Sequence, residues 1–273
     1  VYPPFLKAAG HSGMNTKILE LSRQRDGSYR VDLDAFKRAV GPQTCSFLFC
    51  NPHNPVGRAF QRDELEALAD VCLRNRVPII SDEIHCDLVF GGHQHIPLAS
   101  LSPEIARQTF TLMSPSKTFN LAGLEFAFAI IPDMELRRRF EAARSGMVPV
   151  SNVMAYVAAQ AAYQEGQAWL ESLIHYLEAN RDFVWNFVFE RMPSLAMTKP
   201  EATFLAWLDC RDANLPCNPA QFFLKYGRVA LNDGKRFGPG GEGFVRLNFG
   251  CPRSLLAEGL ERLAVALANK DQK

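Results

Sequence analysis

Residues 44–57 read TCSFLFCNPHNPVG, an apolar run that ends in a turn rich in proline and asparagine. A short run of this kind is typical of a strand buried on both faces. Similar runs follow at 77–81 and 109–113, and a fourth lies at 126–131. The segment 61–76 carries apolar residues at helical spacing. This alternation of strands and helices predicts an α/β fold, with a mainly parallel sheet and helices on its faces.

The second half of the chain has a different pattern. Residues 151–192 have a mostly helical pattern that is interrupted at Gly166. Three short strands are expected next, at 204–208, 228–231 and 244–249. The chain then ends in a helix with four leucines on one face, Leu256, Leu260, Leu263 and Leu267. We therefore expect a large domain over residues 1–170 and a smaller C-terminal α+β domain over residues 171–273.

Composition and charge exclude several classes of protein. The 273 residues are 47% hydrophobic and 22% charged, which is typical of a globular protein with a sizeable core. Lys+Arg 30 against Asp+Glu 29 leaves a net charge of +1, so we expect no nucleic-acid partner. No apolar run approaches the ~20 residues that span a bilayer, so we expect no membrane partner.

The cysteines and histidines do not suggest a metal site. None of the seven cysteines forms a CxxC pair or has zinc-ligand spacing. We interpret them as small buried side chains in a reducing compartment, which favours the cytoplasm. His93 and His95 have no third ligand nearby in the sequence, so we interpret them as part of a surface loop.

Polar side chains follow each of the first three predicted strands. Asn54 comes after the first strand, Asp82 after the second, and the sequence Ser114-Pro115-Ser116-Lys117 after the third. Ligands of open α/β sheets bind just beyond the carboxyl ends of the strands. Each element alone is also typical of a turn, a helix cap or an ordinary polar loop. Together they predict a ligand site at one edge of the sheet.

This set of side chains matches the needs of pyridoxal phosphate. A lysine such as Lys117 can form a Schiff base with the cofactor aldehyde, and desolvation would keep its amine neutral. A buried carboxylate such as Asp82 can keep the pyridine nitrogen protonated. The Asn54 amide can donate to the ring oxygen. The hydroxyls of Ser114 and Ser116 can bind the phosphate group.

Four motifs carry a family resemblance: NPHNPVG at 51–57, SDEIH at 81–85, SPSKTFNLAG at 114–123 and VRLNFGCPR at 245–253. In this order they resemble the fold type I pyridoxal-phosphate enzymes of the class I/II aminotransferase family. The second, third and fourth motifs are most similar to its cystathionine β-lyase, or cysteine-S-conjugate β-lyase, branch. The resemblance covers nearly the whole chain and implies a three-layer α/β sandwich with pyridoxal 5′-phosphate as cofactor.

The resemblance also implies roles for particular residues. Lys117 corresponds to the Schiff-base lysine, and Arg246 to the arginine that grips the substrate α-carboxylate. Tyr2 corresponds to the aromatic residue that stacks on the cofactor ring. His85 stands where many aminotransferases have a tyrosine near the ring oxygen, a feature of the lyase branch. Glu125 stands where many relatives have a phosphate-binding arginine, so other residues must hold the phosphate.

Three functions remain open from the sequence. The first is a C–S β-lyase that converts cystathionine or a related cysteine S-conjugate to thiol, pyruvate and ammonia. The second is an aminotransferase, because the cofactor motifs are common to both reactions. The third is a chain that lacks its N-terminal portion and is inactive, since family members are about a hundred residues longer there and the chain begins Val1-Tyr2 without a signal-peptide pattern. We expect an amino-acid substrate and, in the full-length protein, a homodimer.

Overall fold

The computed structural model describes residues 1–270. The helices are α1 (Pro3–His11), α2 (Leu33–Ala39), α3 (Arg62–Arg74), α4 (Pro103–Arg107), α5 (Met134–Arg144), α6 (Val153–Glu165), α7 (Gln167–Arg191), α8 (Pro219–Phe222) and α9 (Arg253–Ala268). The strands are β1 (Leu21–Arg23), β2 (Tyr29–Val31), β3 (Phe47–Cys50), β4 (Ile79–Asp82), β5 (Thr109–Met113), β6 (Phe128–Ile130), β7 (Ala196–Met197), β8 (Leu205–Asp209), β9 (Asn232–Asp233) and β10 (Phe244–Asn248). Within residues 1–270, no helix is both long and apolar enough to cross a membrane.

The chain separates into two compact units. The first unit comprises Val1–Arg30, His53–Arg58 and the residues from His175 onward, and the second comprises Val31–Pro52 and Ala59–Ile174. This division differs from the single boundary expected at residue 170, which falls inside the continuous helix α7. The N-terminal residues belong with the C-terminal ones because contacts distant in sequence fasten them there. The Val1 amine donates to the Phe237 carbonyl oxygen at 2.7 Å.

The second unit is built on a four-stranded sheet in the order β3-β4-β5-β6. The first three strands pair in parallel, with Cys50 opposite Asp82 and Asp82 opposite Leu112. Their carboxyl ends therefore lie at one edge, and the prediction of a mainly parallel sheet is confirmed. Strand β6 runs antiparallel to β5. The link between β5 and β6 contains a 3₁₀ turn at Ala122–Leu124 and no crossover helix of the kind that usually joins parallel strands.

Helix α3 packs against this unit as its periodicity predicts. Its buried face consists of Leu65, Leu68, Ala69, Val71 and Cys72. The Gln61 backbone amide donates to Glu64 Oε2 at 3.1 Å, which satisfies a donor at the start of the helix. The predicted interruption at Gly166 is also confirmed, because α6 ends just before this residue and α7 begins just after it.

The first unit contains an antiparallel sheet in the order β7-β8-β10-β9. Trp207 of β8 stacks on Phe244 of β10, with ring centroids 5.1 Å apart. Strands β8 and β10 match two predicted strands closely. The strand predicted at 228–231 is wrong, and the pairing residues lie at Asn232–Asp233 instead. Arg228 follows a π-helical turn with a left-handed φ of 55°, which is incompatible with an extended strand there.

The leucine face of the closing helix α9 and three of the seven cysteines are buried as expected. The four predicted leucines of α9 are all buried. Among the seven cysteines, Cys50, Cys72 and Cys210 are buried, whereas Cys45 and Cys217 are exposed. The remaining two, Cys86 and Cys251, are partly buried, so the interpretation of the cysteines as buried side chains holds fully for three of the seven.

Candidate active site

The lysine turn, Ser114–Lys117, begins directly after strand β5 in the second unit. The Ser116 backbone amide donates to Ser114 Oγ at 3.1 Å, which closes a tight turn. Ser114 is buried, and Ser116 is partly buried. Lys117 is exposed within this turn. We expected desolvation to keep the Lys117 amine neutral, but the residue is not buried in this structure.

The hydroxyls of the two serines are joined to each other. Ser114 Oγ lies 2.6 Å from the Phe126 carbonyl oxygen and 2.7 Å from Ser116 Oγ. A carbonyl oxygen only accepts, and a serine hydroxyl has one proton. When Ser114 donates to Phe126, Ser116 must therefore donate to Ser114. A serine hydroxyl can rotate about its C–O bond, so either serine can turn its proton towards a bound anion.

A buried threonine anchors the lysine turn to the turn that follows β4. Thr118 is fully buried, and its Oγ1 donates to Asp87 Oδ2 at 2.8 Å. This hydrogen bond fixes the residue that directly follows Lys117. This contact was not predicted from the sequence. Both residues lie within quoted motifs or next to them, but nothing in their spacing indicates that residues 31 positions apart form a pair.

Asp82 ends strand β4, beside the strand that leads to the lysine turn. Its Oδ1 accepts from the Ile84 backbone amide at 3.1 Å. Burial raises the pKa of Asp82, and the negative charge of Glu83 acts in the same direction. The Ile84 hydrogen bond and the positive charge of Lys117 oppose this rise in the pKa. The result is a carboxylate with raised proton affinity, which suits an acceptor for a protonated ring nitrogen.

His85 and His95 follow Asp82 in the chain, and both are held inside the second unit. His85 is 3% exposed, and its carbonyl oxygen accepts from the Leu88 amide at 3.0 Å. The surface-loop interpretation is wrong for His95, whose side chain is only 8% exposed and lies 2.8 Å from Glu83 Oε2. Residue His93 is exposed, as expected. The His95–Glu83 contact was not predicted from the sequence.

Among the candidate residues of the first unit, Arg246 carries the positive charge. Its Nη1 donates to Asn54 Oδ1 at 2.7 Å, and its Nη2 donates to Asn232 Oδ1 at 2.8 Å. The guanidinium carbon lies 4.8 Å from the ring centroid of Phe237. Burial lowers the pKa of Arg246, and the nearby Tyr2 opposes this shift. Tyr2 itself is exposed and immediately precedes α1.

The contact with Arg246 determines how the Asn54 amide is oriented. Because the side-chain oxygen of Asn54 accepts from the arginine, its Nδ2 group is directed elsewhere and remains a donor. This is the group that a phenolate-type oxygen requires. Asn232, which lies opposite Arg246 in the pairing of β9 with β10, was not predicted from the sequence. No sequence motif distinguishes it from the other asparagines.

Arg246 also keeps hydrogen-bonding capacity for a ligand. A guanidinium has five N–H donors, and two are used by the asparagines. Its Nε is buried and has no hydrogen-bond partner among residues 1–270. An unsatisfied buried donor is energetically costly, so a partner of opposite charge would be bound favourably. This arrangement suits a carboxylate.

Comparison with known proteins places these residues in a family. The model of the family named aminotransferase class I and II matches residues 1–263. The cystathionine beta-lyase PatB of Bacillus subtilis is 41% identical, over 98% of this chain and 70% of its own length. Protein MalY of Escherichia coli is 37% identical, over 97% of this chain and 68% of its own. The chain belongs to the class I and II aminotransferase family.

A solved structure agrees with this assignment. Cystalysin from Treponema denticola, whose structure contains a pyridoxal 5′-phosphate cofactor, superposes with a TM-score of 0.94 at 32% identity. The similarity covers 100% of this chain and 69% of cystalysin. The chain thus spans about 70% of the length of its relatives. The family and the fold that the sequence motifs predicted are both confirmed.

We predict that Asp82→Asn stabilises the protein without cofactor at pH 7. The raised pKa means that the folded state holds the proton more tightly than the unfolded state. The ionised carboxylate therefore lowers stability above the raised pKa, and this penalty disappears as the pH falls towards the unfolded value. Removing the charge should raise the free energy of unfolding by about 1 kcal/mol in urea titrations at pH 7. The gain should shrink in acid, and a loss of stability at pH 7 would contradict the burial argument.

Proposed function

We propose that the protein is a pyridoxal-phosphate-dependent C–S β-lyase. It cleaves cystathionine or a related cysteine S-conjugate to a thiol, pyruvate and ammonia. The observation that carries this proposal is the similarity of nearly the whole chain to relatives named cystathionine β-lyase. The sheet of the second unit supports it, since the Asp82 carboxylate and the turn bearing Lys117 follow neighbouring parallel strands.

The side chains of the second unit fit one part of this cofactor. The Lys117 amine suits the aldehyde, and the Asp82 carboxylate suits the protonated ring nitrogen. Ser114 and Ser116 supply hydroxyls for the phosphate. His85 is assigned to the neighbourhood of the ring oxygen. The roles of Asp82 and Lys117 are supported by the raised pKa of Asp82 and by the charge of Lys117, which acts on that carboxyl.

The side chains of the first unit fit the remaining roles. Asn54 offers its Nδ2 donor to the ring oxygen, because its own oxygen is engaged by Arg246. Arg246 binds the substrate α-carboxylate through the donors that the asparagines leave available. Tyr2 offers its ring as a stacking surface. Asn232 and Phe237 hold the guanidinium in place.

The reaction then follows from what these residues hold and move. When bound, pyridoxal phosphate supplies an electron sink for the charge that develops at the substrate α-carbon. Lys117 Nζ removes the α-proton as a general base. Asp82 keeps the proton of the ring nitrogen in place throughout. The bond between the β-carbon and sulfur breaks with its electron pair on sulfur, and water converts the three-carbon remainder to pyruvate and ammonia.

An aminotransferase is the second candidate. Lys117, Asp82 and Arg246 would serve that reaction equally well, since they bind and deprotonate the same type of substrate. The family description itself names aminotransferases. We favour the lyase because His85 stands where many aminotransferases have tyrosine, and because PatB is named a lyase.

We further propose that the protein acts as a homodimer in the cytoplasm. The support for a dimer is a group of exposed apolar side chains in the second unit, which includes Met147, Val150 and Val153 at 81%, 80% and 72% exposure. Apolar surface of this kind is unusual unless it is covered. Sedimentation as a monomer at micromolar concentration would contradict the dimer. Free thiols throughout agree with a reducing compartment.

The lyase proposal predicts thiol release from cystathionine by the protein supplied with pyridoxal phosphate. Homocysteine and pyruvate should appear in equal amounts, measured with a thiol reagent and lactate dehydrogenase. Lys117→Ala should leave less than about 1% of the rate, since it removes the general base. Lys225→Ala, at an exposed lysine, is the control and should leave the rate unchanged. Amino transfer that depends on a keto acid, without thiol release, would favour the aminotransferase and contradict the lyase.

Replacing Arg246 by lysine tests its assigned role. A lysine cannot reproduce the guanidinium fork, so kcat/KM should fall about 100-fold, mainly through a higher KM. The exposed Arg228→Lys is the matched control in the same unit and should have no effect. Steady-state kinetics with cystathionine measure both variants. An unchanged KM in Arg246→Lys would show that another residue binds the carboxylate.

A further inference from the structure

Glu83 is a fully buried carboxylate that the proposed reaction does not use. Three groups donate to it or lie within hydrogen-bond distance. Ser81 Oγ donates to Oε1 at 2.8 Å, and the Leu98 backbone amide donates to the same oxygen at 3.0 Å. His95 Nε2 lies 2.8 Å from Oε2. An ionised carboxylate only accepts, so His95 is the donor in that pair.

These contacts make Glu83 a cross-link within the second unit. They join the end of β4 to a segment 12 to 15 residues further along the chain. A buried carboxylate is energetically very costly unless it is hydrogen-bonded. Both oxygens of Glu83 have hydrogen-bond contacts, two at Oε1 and one at Oε2. The segment from His95 to Leu98 is therefore fixed to the strand end by a polar contact that is costly to break.

The cross-link lies immediately beside Asp82. In an extended strand, alternate side chains point to the same face, and the contact between Ser81 and Glu83 fits this rule. Asp82 therefore points to the opposite face. The Glu83 backbone amide donates to the Leu112 carbonyl oxygen at 2.9 Å, which extends the ladder one residue beyond Asp82. The backbone on the far side of Asp82 is thus held both by the ladder and by the Glu83 side chain.

We propose that Glu83 is a positioning residue for Asp82. Its hydrogen bonds to Ser81, His95 and Leu98 fix the strand end so that the Asp82 carboxylate faces the ring nitrogen of the cofactor. This role rests on the proposed function for its consequence in cofactor binding, but the fixation itself exists without cofactor. The charge of Glu83 adds to the effect, since it raises the pKa of Asp82 and so strengthens that carboxylate as an acceptor.

Glu83→Gln tests this role, and Thr109→Val is its matched control. Glutamine keeps the size of the side chain but removes the charge and replaces one carboxylate oxygen with an NH2 group, so the side chain can no longer accept hydrogen bonds on both sides. Thr109 is also fully buried in the same sheet, and its Oγ1 donates to the Ile105 carbonyl oxygen at 2.7 Å, away from Asp82. Both variants should lose stability. The control therefore separates general destabilisation from an effect on Asp82.

The first measurement is amide hydrogen exchange in the protein without cofactor. The Leu98 amide donates to Glu83, and the Ile84 amide donates to Asp82. In Glu83→Gln, both amides should lose about tenfold in protection beyond the global loss of stability. In Thr109→Val, they should change only in proportion to global stability. Loss of protection at Leu98 alone, with Ile84 unchanged, would overturn the proposal.

The second measurement compares binding of pyridoxal phosphate with its 1-deaza analogue, in which a C–H group replaces the ring nitrogen. The preference for pyridoxal phosphate over the analogue reports on the contact with Asp82. This preference should fall about tenfold in Glu83→Gln and should be retained in Thr109→Val. Equal weakening of both ligands in Glu83→Gln would overturn the role. Failure of the unsubstituted protein to bind pyridoxal phosphate would instead overturn the proposed function, and the exchange data would still decide the positioning.

Discussion

The parallel pairing of β4 with β5 is the constraint on which the candidate chemistry of the second unit depends. It places Asp82 opposite Leu112, so the carboxylate and the turn bearing Lys117 emerge at the same edge of the sheet. A shift of one residue would direct Asp82 to the other face. The Thr118–Asp87 hydrogen bond and the contacts of Glu83 then fix the loops that leave this edge. Backbone pairing sets the approximate geometry, and buried polar contacts refine it.

The carboxylates at this edge carry an electrostatic cost in the chain by itself. Asp82 is a carboxylate with a raised pKa, next to a second buried carboxylate at Glu83. Such an arrangement reduces the stability of the chain by itself, and functional sites commonly carry this cost. In the first unit, Arg246 is likewise surrounded by neutral amide oxygens and an aromatic ring instead of carboxylates. A ligand of opposite charge would relieve either site.

Local sequence patterns predicted three strands of the sheet and the candidate residues that follow them. Apolar runs predicted β3, β4 and β5, and the residues that follow them gave Asn54, Asp82 and Lys117. The contacts that hold these residues were missed because they join positions far apart in the chain. Thr118 and Asp87 are one such pair, and Glu83 and His95 are another. The residue type alone does not show whether a polar side chain is buried or exposed.

Two differences between the predicted and the observed fold have similar causes. The domain boundary at residue 170 was inferred from a change in pattern, whereas α7 is a continuous helix through that point. The strand predicted at 228–231 had suitable residues, but the left-handed backbone at Arg228 prevents an extended conformation there. Secondary-structure propensity predicts the conformation of each segment separately. Which segments pack together depends on contacts distant in sequence, such as that between Val1 and Phe237.

The central claim is that Lys117 is the lysine that binds the cofactor aldehyde. Borohydride reduction of the protein mixed with pyridoxal phosphate would make that linkage permanent, and mass spectrometry of the peptides would locate it. We expect one label per chain, on the peptide that contains Lys117. A label spread over several exposed lysines, or found on a single lysine elsewhere, would contradict the account.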